Sequence, residues 1–425
     1  MIEVGFCRAR SAQHVLTKHL INLCVGALGW LICGWAFSFG GPFRTSSGKV
    51  YKSNFIGTEG FVAMDFYSVP VEGLVEPTES PARWFFHWAV FCVAASIVSA
   101  GTAERMSYVA YAFVTLTMSC VIYPFVVASA WGRGVLQEVN AVGMVDFAGS
   151  GVIHLCGGSV ALVGTIFCPT RPGRWTSPDE FVPNSVPLVV LGTFIAWFGW
   201  HGLHCGMTQS MTGVSDALLA SQVAMNTTLS AAAGGLTAFW LRFAFSWGRT
   251  GDLLGMCNGV LAGLVSISAG CSSVTHWASL CIGAVGAMLY LCASFVLRRL
   301  GFDDPRDVFA VHAVPGFWGL VSGPLFNWHM NADKFHRPTG WACDLGDDGA
   351  CRTGAWVEAV WANLVGVVTI IGSSAVVACL VFFPLRILGK LQPAEEYDPD
   401  YVPPLDTSDG FAPSTCGQKP TLYAI

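Results

Sequence analysis

The sequence predicts an all-α fold, a polytopic bundle of transmembrane helices, and three observations carry that expectation. Of 425 residues, 53% are apolar and 12% are charged, about half the charged share of a soluble globular chain. Apolar runs of about 20 residues, each able to cross roughly 30 Å of hydrocarbon, recur along the chain. Glycine and tryptophan are abundant, at 48 and 16 residues. Small residues let membrane helices approach closely, and tryptophan settles at membrane interfaces.

Composition also excludes several functions. Lys and Arg total 22 against 27 Asp and Glu, a net charge of −5 with no basic run, so no nucleic-acid partner is expected. Most of the 16 cysteines, Cys156 among them, lie inside apolar runs, where a thiol behaves as a small hydrophobe. There is no CxxC and no disulfide framework. Gly-rich phosphate loops, G-x-S-x-G, H-E-x-x-H and paired carboxylates within a span are absent. Neither an enzyme nor a cofactor is expected. A metal site from His154, His312 and Cys156 lacks motif spacing, so no metal is expected either.

Ten spans follow in order: Leu16–Phe39, Trp84–Ala103, Tyr108–Trp131, Val145–Cys168, Ser185–Cys205, Ala217–Phe243, Leu253–Cys271, Val274–Leu297, Val308–Phe326 and Trp356–Leu385. Each must be helical, because a lipid-exposed strand edge leaves backbone groups unpaired. The first run follows Arg8, Arg10 and Lys18 and ends without a small-residue cleavage pattern, which reads as a span, not a removed leader. With both termini cytoplasmic, the inner side holds 14 of the 22 Lys and Arg. Two outer loops are long, 40–83 and 327–355. The second contains Cys343 and Cys351, for which a disulfide and two free thiols are equal alternatives. Residues 1–391 form the membrane domain, and 392–425, with little apolar content, a disordered tail.

An ionisable group inside a span is a functional candidate by default. His154 lies in Asp146-Phe147-Ala148-Gly149-Ser150-Gly151-Val152-Ile153-His154, and His312 in Val308-Phe309-Ala310-Val311-His312. Their spans are the fourth and ninth. The odd spacing of five sets them antiparallel, as in an inverted repeat with its site at the repeat interface. Two facing imidazoles can share a proton, whereas each taken singly reads better as a hydrogen-bonded core histidine. Asp146 reads as a helix cap that could also set a negative potential at a pore mouth. Glu104 and Arg105 read as an interfacial ion pair. His87, His201, His204 and His276 lie near span ends, and Asn226, Thr227 and Thr228 suit interhelical hydrogen bonds.

With these segments in order, the chain resembles the ammonium transporter (Amt/Mep/Rh) family over nearly its whole length. The resemblance rests on Ala103-Glu104-Arg105, the Asp146 to His154 stretch, and Leu191-Gly192-Thr193-Phe194 running into Trp197-Phe198-Gly199-Trp200. Ala224-Met225-Asn226-Thr227-Thr228-Leu229, Asp252-Leu253-Leu254-Gly255-Met256-Cys257-Asn258-Gly259, and Asp303-Asp304-Pro305 leading to His312 complete it.

The resemblance implies a plasma-membrane homotrimer in which each subunit has a narrow apolar pore between two inverted five-helix halves. His154 and His312 fall on its central twin histidines. It places Trp131 at the outer recruitment site, beside Asp146, with Met207 where the family has a serine. In the gate, Val90, with Phe91 next to it, and Leu203 replace phenylalanines, and His204 replaces an asparagine. The chain matches the family from the exit of its first helix onward. Ammonium would lose its proton at the mouth, avoiding the tens of kcal/mol, by order of magnitude, that a bare cation costs in an apolar medium. A sensor that binds ammonium but moves little, and a pore for another small neutral molecule such as methylamine, are the alternatives.

Overall fold

The computed structural model describes residues 1–40, 44–46, 49–51, 55–64, 66–68, 76–77, 80–132, 134–327 and 355–393. Cys343, Cys351 and the tail beyond 393 lie outside them. A short helix, α1 (Ile2–Phe6), precedes ten helices that correspond one for one to the expected spans. They are α2 (Ala9–Phe39), α3 (Ser80–Gly101), α4 (108–130), α5 (Ser150–Phe167), α6 (Val186–Gly206), α7 (Val214–Phe245), α8 (Leu253–Ile267), α9 (His276–Arg299), α10 (309–325) and α11 (Ala355–Ile387). Two small hairpins, β1 (Arg44–Ser46) with β2 (Lys49–Tyr51) and β3 (Tyr67–Ser68) with β4 (Glu76–Pro77), lie in the long first loop.

Seven of the ten helices are long and apolar enough to cross a membrane, and the protein is a multi-pass membrane protein. The three exceptions have physical causes. Helix α7 carries Gln222, Asn226, Thr227, Thr228 and Ser230, whose side chains bond to backbone and side chains of neighbouring elements. Helix α8 has only 15 residues, about 22 Å at 1.5 Å per residue. Helix α10 is the glycine-rich stretch that carries His312. Large side chains such as Phe194, Phe198, Trp240 and Leu380 are exposed on the helix flanks, the surface that a hydrocarbon solvent covers.

Helix starts are set by short polar side chains. Ser107, Ser185, Asp252 and Thr275 each accept a hydrogen bond from the amide three residues on, at 3.1, 3.3, 2.7 and 3.4 Å. The alternation of ends expected from ten spans is realised. Arg8, Glu104, Arg171 and Asp303, from four segments expected on one side, meet at one end of the bundle. Segments expected on the other side meet at the opposite end, where Val274 bridges Asn327.

The charged end corrects one expectation. Glu104 and Arg105 are not paired with each other. The Glu104 carboxylate accepts from Arg8 at 3.0 Å and Arg171 at 2.7 Å, and Arg105 reaches Asp303 at 4.0 Å. Glu104 has a left-handed backbone (φ 66°), so neighbours in sequence point to different partners. Burial alone would push the Asp303 carboxyl up, but the hydrogen bonds and charge of Arg171, with the charge of Arg105, hold it below its usual 3.8.

Candidate functional site

The two histidines meet in the middle of the bundle. His154 Nδ1 and His312 Nδ1 are 3.3 Å apart, with ring centroids 5.3 Å apart and planes 17° from parallel. A bond between two Nδ1 atoms needs a hydrogen on one ring and a lone pair on the other, so the pair is inherently asymmetric. His154 is fully buried and its Nε2 has no partner among the described residues. Its ring also stacks on Trp200, centroids 5.5 Å apart and planes 13° from parallel.

Local backbone explains how both rings reach this position. Each histidine sits in a one-turn π-helix, Ser150–Leu155 and Phe309–Ala313, before the α-helix resumes. The Asp146 carboxylate starts the first of them, accepting from the amides of Gly149, Gly151 and Val152 at 3.1, 2.9 and 2.9 Å. The capping role expected of Asp146 is therefore present.

Packing of the two segments is reciprocal. Gly158 and Gly316 each lie four residues after their histidine. A Cβ on Gly158 would sit 2.8 Å from the Ala313 amide, and one on Gly316 would sit 3.1 Å from the Leu155 amide and 2.5 Å from the Ser150 carbonyl. Each glycine thus seats on the residue that follows the opposite histidine, which is the pattern a two-fold repeat generates. Gly316→Val is expected to separate the rings, because backbone atoms on the facing segment cannot yield as a flexible side chain would. Near-UV circular dichroism and melting temperature of the purified variant check this, with a loss of about 1–3 kcal/mol expected from overpacking. A parent-like melt would refute it.

A cleft of about 480 Å³ runs along α3 and α6 past His312. On α3 its wall is the stripe Phe86, Val90, Val93, Ile97 and Ala100, residues on one helix face that span about 21 Å. On α6 it is Gly199, Trp200 and Leu203. Of the expected gate, Val90 and Leu203 line the cleft. Phe91 does not. One residue further round the helix, its ring packs in the core against Trp30 and Tyr123, centroids 6.1 and 5.6 Å away. Along α6 the cleft is open, since Gly199 and Gly202 are exposed and nothing described lies within 4 Å of where either would carry a Cβ.

At the opposite end from the charges, Trp131 donates its indole N–H to the Asp146 carbonyl at 2.7 Å. Trp131, Phe86 and Leu203 pack against a buried cluster containing Met207 and Phe147. The expected recruitment residues Trp131, Asp146 and Met207 therefore gather in one place.

Phe86 carried no signal in the sequence, and the contacts of Trp200 and His204, both named there, were not readable from it. Phe86 lies across Gly206, and Trp200 stacks on His154. His204 is fully buried, with Nδ1 2.8 Å from the Thr227 hydroxyl and Nε2 2.9 Å from that of Ser268. Each hydroxyl also lies within 2.9 Å of a carbonyl four residues back, so a neutral His204 requires one of them to turn toward the ring. The spacing of Trp200 and Leu203 from Ala196 on one helix face is the signal that could have placed Trp200 on the cleft wall. Cys156 bonds Ser374 at 3.4 Å, and among the described residues no group of three or more His, Cys, Asp or Glu could hold a metal.

These features define a multi-pass membrane protein with a reciprocally packed histidine pair beside a largely apolar cleft. The chain belongs to the Ammonium Transporter Family, whose family model matches residues 1–402. It is similar to Ammonium transporter 3 of Dictyostelium discoideum, with 32% identity over 92% of this chain and 84% of that protein. It is also similar to Ammonium transporter Amt2 of Archaeoglobus fulgidus, 34% identical over 77% of this chain and 67% of that protein. Among solved structures, Mep2 of Candida albicans aligns with a TM-score of 0.70 at 26% identity, over 89% of this chain and 78% of that one. A "Sensor Amt Protein" shares the fold, with a TM-score of 0.76 at 24% identity, over 96% of this chain and 93% of that one.

Proposed function

We propose that this protein moves ammonium or ammonia across a membrane, and that His154 and His312 form the polar centre of the route. The observation that carries this is the 3.3 Å contact between two imidazoles in a chain of the Ammonium Transporter Family, one of them on the wall of a largely apolar cleft. Ammonium is drawn to the mouth at Trp131 by the face of the indole, worth about 1–2 kcal/mol once partly desolvated. Asp146 fixes that ring, and Met207 offers no hydroxyl, so recruitment is weaker than with a hydrogen-bonding mouth.

The cation then gives up its proton to water at the mouth, and ammonia passes between Val90 and Leu203 to the histidines. Potassium has no proton to shed and is excluded by its desolvation cost. The histidine pair holds or relays a proton between its Nδ1 atoms. The protein works as a homotrimer in the plasma membrane, with both termini in the cytoplasm.

The test is growth of a cell lacking its own ammonium transporters, on low ammonium, with this chain expressed. Rescue at confirmed membrane expression is expected. Failure to rescue, with ammonium binding retained by the purified protein, would replace transport by sensing.

A further inference from the structure

We propose that Arg306 is an electrostatic barrier to cations at the charged end of the cleft. This goes beyond the transport reading and rests on it only in naming ammonia as the neutral solute that passes. Arg306 lies in the link between α9 and α10, six residues before His312, and lines the same cleft. Ile2, Ile97, Ala100 and Leu261, all apolar, line the same cleft.

Several buried or half-buried arginines at this end are held by direct ion pairs. Arg8 bonds Glu104, Arg171 bonds Glu104 and Asp303, Arg242 bonds Asp252, and Arg298 bonds Asp307. Arg306 has no such pair among the described residues. Its guanidinium lies over the Phe6 ring at 5.7 Å, and its Nε is buried without a partner. Glu3 and Asp304 are close enough to influence it, but their bonds go elsewhere. Glu3 takes His19 and Ser99, both at 3.0 Å, and Asp304 takes the Phe309 amide at 2.9 Å.

A fixed positive charge against low-dielectric walls projects its field along the cleft instead of losing it to a bonded counterion. A cation approaching it is repelled, whereas a neutral ammonia feels only a weak charge–dipole interaction. An arginine that excludes cations while a neutral solute passes is an established way for a pore to gain selectivity.

The experiment uses the whole chain in proteoliposomes and compares the parent with R306Q, R306M and R306K at equal incorporation and with melting temperatures recorded. Potassium entry under an inside-negative potential is read without ammonium, and ammonium-evoked charge movement and internal pH are read separately. Both neutral variants are expected to raise potassium entry and ammonium-evoked charge on the order of 10-fold or more. R306K retains the parent's exclusion. Parent-level potassium entry in R306Q and R306M would overturn the barrier, as would an equal leak in R306K. Because the potassium arm needs no ammonia flux, a parent that moves no ammonia defeats the transport reading while the leak still decides the role of Arg306.

Discussion

His154→Ala and His312→Ala each lower ammonia flux on the order of 10²-fold in proteoliposomes, the size expected when a positioned proton-transfer group is removed. Either change deletes the Nδ1 to Nδ1 contact and leaves the remaining imidazole without its partner in a buried site. The two losses are not additive, because the groups act as one unit, and the double variant falls no further than about either single one. Asparagine at 154 separates the causes. It keeps a hydrogen-bonding group but cannot take up a proton, so flux stays low while the melting temperature recovers part of the loss seen with alanine. Parent-like flux in both alanine variants, measured by internal pH change after an ammonium gradient is imposed, would remove the histidines from the mechanism.

Arg171→Met is expected to destabilise the protein by about 2–3 kcal/mol, because it removes the two-pronged partner of buried Asp303 and one of the two arginines on buried Glu104, leaving Arg174 at 3.4 Å, Arg105 at 4.0 Å and Arg8 at 3.0 Å as partial compensation. Arg171 binds Asp303 through Nε and Nη2 at 2.9 and 2.7 Å and Glu104 through Nη1 at 2.7 Å, tying the α5–α6 link to the end of α3 and to the α9–α10 link. Lysine cannot reproduce the two-pronged contact with Asp303 while also reaching Glu104, so Arg171→Lys recovers only part.

The pH dependence follows from Asp303. Its folded-state value is depressed, so its contribution is fully present above its ordinary 3.8 and is lost as pH falls through the lower folded value. The gap between parent and Arg171→Met is therefore widest near pH 5–7 and narrows below about pH 4. Melting temperatures in detergent across that range check it, and a gap independent of pH would show that Asp303 is not the group involved.

Position along the chain was readable where one-dimensional rules suffice. The ten helices lie where apolar length placed them, and the Asp146 cap and the interhelical bonds of Asn226 follow from residue type. The histidine pair was readable because an inverted repeat links equivalent positions. Facing was less readable. Phe91 and Val90 are adjacent, yet a helix turns 100° between neighbours, and only Val90 reaches the cleft. Glu104 and Arg105 looked like one ion pair and instead serve two, because the chain reverses its backbone hand at Glu104.

The sequence by itself determined the membrane class, the number and order of the helices and which two histidines meet, since hydrophobic length and repeat symmetry are properties of the chain alone. Only the tertiary structure decided that Gly158 and Gly316 seat the two halves on each other, that Trp200 stacks on His154, and that the buried Nε of Arg306 finds no partner among the described residues. Those facts depend on which groups far apart in sequence come within a few ångströms, and contact at that range is set by helix packing rather than by the local order of residues.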